Sequence, residues 1–182
     1  MFGESTLHLS LQKLLIATLF AGLVFLLHCE RAKADAALPP ARPIFPEACI
    51  LQAVADHMGL QLKPEIPVAP VHYASATTLE YFRNATRANF GDMIPNMIAN
   101  MYAFATNEIF LMDDAAYYLR VQRKIDDSLA HEYTHYLQVK YQNWDVAHDV
   151  NDAAEANAVD VQTWFRETYI NQPGKNPCDA GR

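Results

Sequence analysis

The chain has 182 residues, 51% of them hydrophobic and 19% charged, with a formal net charge of −7. That is enough apolar sequence for one substantial core, and the absence of any basic cluster argues against nucleic acid or anionic lipid as a partner. The mild acidity signals solubility and identifies no substrate.

Residues 14–27 are almost unbroken apolar sequence. A membrane-spanning helix needs about 20 such residues, whereas this length suits the apolar region of a secretory signal. Lys13 supplies a positive charge before it, and Ala32-Lys33-Ala34 is a small-x-small cleavage site. The chain therefore divides into a signal peptide over 1–34, a proline-rich leader over 35–46 and one domain over 47–182, with Asp35 the expected first mature residue. A retained signal anchor is the alternative. Leu26-Leu27-His28 lacks the small residues expected before a lipidated Cys29. Cleavage implies a secreted or periplasmic protein with no stable membrane span, and leaves Cys49 and Cys178. In an exported protein such a pair predicts a disulfide, here tying the C-terminal tail to the first helix.

Apolar residues at helical spacing predict that first helix over 47–60. Residues 64–74 read as a strand interrupted by Pro67 and Pro70. A short helix follows over 75–84, then an irregular stretch over 87–95. Met93, Met97 and Met101 recur every four residues. Thioethers can bind Cu(I), but a stripe of this kind more commonly packs in a core. Two β-prone runs, 101–104 and 108–111, flank Ala105-Thr106-Asn107 as in a hairpin. An edge strand beside a cleft could take an extended peptide as an added strand.

No Gly or Pro occurs between Ala115 and Pro173, so long helices can form there. Leu129, Tyr133, Tyr136, Leu137 and Lys140 make one buried stripe. Within it stands His131-Glu132-Tyr133-Thr134-His135. Residues i and i+4 share a helix face, so both imidazoles can reach one tetrahedral Zn²⁺. Glu132 sits at the edge of that face, where it can take a proton from a water without filling a ligand position. Asp127, one turn earlier, could orient His131, or pair with Arg123 on a wet face.

A catalytic zinc usually has three protein ligands. The downstream candidates are His148, Asp149, Asp152, Glu155 and Asp160. A helix is predicted from 151 to about 169, and Ala154, Ala156 and Ala158 would let it approach the metal helix closely. Asp160 is turned about 500° from Glu155 and points elsewhere. Glu155 is favoured, although Asp152 and Glu155 also fit a capping box and His148 is chemically the better zinc donor.

His131-Glu132-Tyr133-Thr134-His135 followed by Glu155-Ala156-Asn157-Ala158 resembles the gluzincin metallopeptidases, especially the small minigluzincin-type domains. The resemblance covers about residues 100–168. It implies an α+β, zincin-like fold: a small mixed sheet, the motif helix and a following glutamate-bearing helix. It also implies that Glu155, 20 positions after His135 as in thermolysin, is the third ligand, and that strand 108–111 is the edge strand of the cleft. Two positions depart from related patterns. Val159 stands where thermolysin-like proteins have an aspartate supporting the first histidine, and Tyr141 stands where metzincins have a third histidine. The expected function is zinc-dependent hydrolysis of a peptide or protein substrate, with Glu132 as base and His148 or Tyr141 as candidate stabilisers of the transition state. The alternative is a non-catalytic zinc-bearing binding or structural protein; Glu132 favours the enzyme, because a structural zinc needs no base.

Overall fold

Ile109, Phe110 and Leu111 set the centre of the fold. Successive strand residues point to opposite faces, so three apolar side chains in a row need cover on both sides. The computed structural model describes residues 38–179 except 92, 94 and 145–151, and the stretch expected to be a signal peptide, with its expected cleavage site, lies outside the described residues. The run forms β3 (Glu108–Leu111), the middle strand of a three-stranded mixed sheet of order β1-β3-β2. β1 (Val71–Tyr73) runs parallel to it with Val71 opposite Ile109, and β2 (Met101–Ala103) runs antiparallel with Tyr102 opposite Ile109. Ile109 and Leu111 face the main core, while Phe110 packs with Phe82, Ala85 and Ala103 on the other side. The expectation that 108–111 is the edge strand is therefore corrected: a strand apolar on both faces belongs in the middle, and β1 and β2 are the edges. The strand expected over 64–74 contracts to β1, since Pro67 and Pro70 have no N–H to give to a ladder.

The architecture is α+β, with six α-helices among the described residues. α1 (Glu47–His57) opens the domain. α2 (Leu79–Ala85) starts at Thr78, whose side chain accepts from the Tyr81 N–H. The stretch expected to be irregular contains one further turn, α3 (Arg87–Phe90). Met93 and Met97 beyond it are 76% and 58% exposed, so the methionine stripe is not a core feature; outside a helix, a spacing of four makes no common face. α4 (Ala115–Arg120), α5 (Ile125–Gln142) and α6 (Asp152–Phe165) follow, the last continued by a π-helical turn over Arg166–Ile170. In place of glycine, Gln122 and Asn143 take left-handed backbone conformations, φ 53° and 57°, and end α4 and α5. Among the described residues no helix is long and apolar enough to cross a membrane.

α5 is the hub. Leu129, Tyr133, Tyr136 and Leu137 are buried as expected, against Ile50 and Val54 of α1 and Val161 and Phe165 of α6. Two adjacent acids hold its first turn. Asp126 accepts from the backbone N–H groups of Ile44 and Phe45 at 2.8 and 3.0 Å, which pins the proline-rich leader to the domain. Asp127 pairs with Arg123 at 3.1 Å, as the sequence allowed, but the site is buried and not wet, because Arg166 just beyond α6 also reaches it at 3.4 Å. α6 thus runs antiparallel to α5, and this clasp fixes one end of the pair. At the other end of the chain the sulfurs of Cys49 and Cys178 stand at bonding distance, with 4.8 Å between the Cα atoms, so the tail returns to α1 as expected.

Candidate metal centre

α5 presents His131 and His135 one turn apart, with their Nε2 atoms separated by 3.0 Å. α6 comes close because Ala154 and Ala158, both buried, have no side chain beyond Cβ to hold the helices apart. Glu155 is thereby carried over the pair, Oε2 at 3.4 Å from His131 Nε2 and Oε1 at 3.3 Å from His135 Nε2. A tetrahedral ion with ligand bonds of 2.0–2.1 Å needs donor atoms about 3.3 Å apart. Two imidazoles and a carboxylate at these separations fit such an ion. Among the described residues these three side chains form the group able to hold a metal ion.

Glu132 stands beside this group without joining it. Its carboxyl is buried, and burial, reinforced by the charge of Glu155, pushes its pKa up to about 8 against a hydrogen bond from the Tyr102 backbone that works the other way. Burial and the neighbouring His135 push His131 down to about 4, so its imidazole is neutral at ordinary pH, as a ligand must be. A divalent cation would favour the ionised form of a nearby carboxyl.

The group opens onto a cavity of about 480 Å³ whose wall includes Asn89, Phe90, Tyr102 and Phe104. The edge strand β2 lies along it. Ile109 gives its N–H to Pro70 on the β1 side, so Tyr102, paired with Ile109, turns its own N–H and C=O away from the sheet. Neither group is free: the N–H meets Glu132, and the C=O accepts from Asn89 Nδ2 at 3.1 Å.

The chain matches no protein-family model, no curated protein and no solved structure. What the centre can do must be read from its own atoms.

Those atoms include two residues that the motif does not announce. His135 Nδ1 lies 3.0 Å from Gln138 Oε1. The amide nitrogen of the fully buried Gln138 donates across to α6, to the Ala154 carbonyl at 3.2 Å and to Asn157 Oδ1 at 2.9 Å. The available signal was position: Gln138 is i+3 from His135 on the face that carries both histidines, and a buried amide requires partners. Among the described residues His131 has no counterpart. Its Nδ1 is buried without a hydrogen-bond partner. Val159 is exposed, as is Asp160, and Asp127 is engaged by two arginines, so none of the residues considered for this role supports His131.

Tyr141 lies away from the cavity. Six residues beyond His135 it has turned about 240° around the helix, and its hydroxyl accepts from the Lys63 N–H at 3.2 Å. His148 and Asp149 lie outside the described residues.

Proposed function

We propose that the chain is a zinc-dependent peptidase of gluzincin type that acts outside the cytoplasm. The observation that carries this reading is the separation of roles. His131, His135 and Glu155 bring three donor atoms to tetrahedral spacing, while the buried Glu132 carboxyl stays out of that set and faces the same cavity. A structural site has no use for such a carboxyl. The Cys49–Cys178 pairing fits an oxidising compartment.

His131, His135 and Glu155 would hold Zn²⁺. When bound, the ion would polarise the scissile carbonyl and acidify the attacking water. Glu132 takes a proton from that water as its oxygen bonds to the carbonyl carbon, and returns the proton to the nitrogen as the C–N bond breaks. The Tyr102 N–H keeps the carboxylate aimed. An extended peptide added along β2 would replace the Asn89 amide at the Tyr102 carbonyl, since that is the outward acceptor of the strand.

The test is Glu132→Gln, with metal content and cleavage of a mixed peptide library measured on the same preparations. Wild type should cleave and lose activity to a chelator. The variant should keep stoichiometric zinc while kcat/KM falls about 10²–10⁴-fold. Zinc-loaded variant cleaving at the wild-type rate would remove Glu132 from the mechanism. Wild type holding zinc but cleaving nothing would establish the non-catalytic reading.

A further inference from the structure

Gln138 does more than fill space between two helices. Its amide has one acceptor end and one donor end, and the surroundings decide which is which. The Ala154 carbonyl can only accept, so the NH₂ group must face α6. The oxygen then faces His135 Nδ1, and since that oxygen can only accept, Nδ1 must carry the proton. A neutral imidazole protonated at Nδ1 has a bare lone pair at Nε2. That is the atom turned toward His131 Nε2 and Glu155 Oε1.

We propose that Gln138 is a positioning residue: through the Ala154 carbonyl and Asn157 it reads the placement of α6 and locks His135 in the Nδ1–H tautomer, aiming a ready lone pair at the metal position before any cation arrives. One buried amide thus couples two requirements of the site, the tautomer of a ligand on α5 and the docking of the helix that carries Glu155. His131 takes the complementary form. With His135 Nε2 bare at 3.0 Å, His131 Nε2 carries the proton between them, and its Nδ1 is left bare and unpartnered. Binding a cation at both Nε2 atoms requires His131, and not His135, to move its proton.

This inference rests on the centre assigned above, and its test separates the two. Two-bond ¹H–¹⁵N correlation spectra of the metal-free protein, with ¹⁵N-labelled histidine, report each ring's tautomer. His135 should show the Nδ1–H form; the Nε2–H form would overturn the proposal, whether or not the protein binds zinc. If wild type fails to bind zinc, the proposed function falls and the tautomer still decides this point. Variants supply the second arm. Gln138→Leu fits a buried position but removes the acceptor, so His135 should lose its single tautomer and zinc affinity, measured by chelator competition, should fall about 10–100-fold. Gln138→Glu keeps an acceptor toward Nδ1 but sets its other oxygen against the Ala154 carbonyl, so it should retain the tautomer while zinc affinity falls with the docking of α6. A purely packing role predicts that the leucine variant keeps both the single tautomer and the zinc affinity, and that outcome would reject the proposal. Should either variant fail to fold, the wild-type spectrum alone accepts or rejects it.

Discussion

His131 and His135 occupy equivalent places on one helix face, yet their surroundings differ. His135 has its outer nitrogen on Gln138, which is itself held by Ala154 and Asn157 of α6. The outer nitrogen of His131 is buried and finds no hydrogen-bond partner among the described residues. An i,i+4 spacing gives both rings the same reach but not the same support: three residues on from His135 stands Gln138, oriented by α6, whereas three residues on from His131 stands Thr134, whose hydroxyl goes to the Ala130 carbonyl. A buried donor without a partner costs about 1–3 kcal/mol. That cost falls on His131 once its proton moves to Nδ1, so the centre should bind zinc roughly 10–100-fold more weakly than one with both rings supported.

The comparison can be broken most directly through Glu155, which lies within 3.4 Å of the Nε2 atoms of both rings. Glu155→Ala should lower zinc affinity by several orders of magnitude in chelator competition, with the far-ultraviolet circular dichroism unchanged. Tight stoichiometric zinc in that variant, together with its loss in His148→Ala, would move the third ligand to His148. The disulfide provides a control that touches neither ring. Closing 129 residues of chain between Cys49 and Cys178 should stabilise the fold by about 2–5 kcal/mol in denaturant titration. Removing it should leave the zinc affinity of the folded protein unchanged, and two freely alkylated thiols in unreduced native protein would rule the bridge out. Asn157→Leu should have the smallest effect. It takes one of two acceptors from the Gln138 amide and leaves the Ala154 carbonyl, so zinc affinity should fall by less than the roughly tenfold lower bound expected when a direct partner is lost. The loss should appear at the His135 resonances and leave those of His131 in place. Equal perturbation of both rings would show that their supports are not independent.

Whatever depends on spacing along one element was legible from the residues alone. His131 and His135 on a common face, the buried stripe from Leu129 to Leu137, the hairpin around Asn107 and the alanines that let α6 close in all belong here, since helix and strand periodicity set them locally. Cys49 and Cys178 could be paired once cleavage was expected to remove Cys29, the third cysteine of the chain. Which strands are the edges needed the folded chain, because that depends on cover from α2 on one side and α5 on the other. Folding also set Asp127 in a buried clasp, through an arginine 39 residues away. It placed Tyr141 beside Lys63 and away from the cavity, and among the described residues it gave a partner to the outer nitrogen of one histidine and none to that of its neighbour. Hydrogen-bond satisfaction at a buried site is settled by what packs across it, and no local pattern along α5 contains the carbonyl of Ala154.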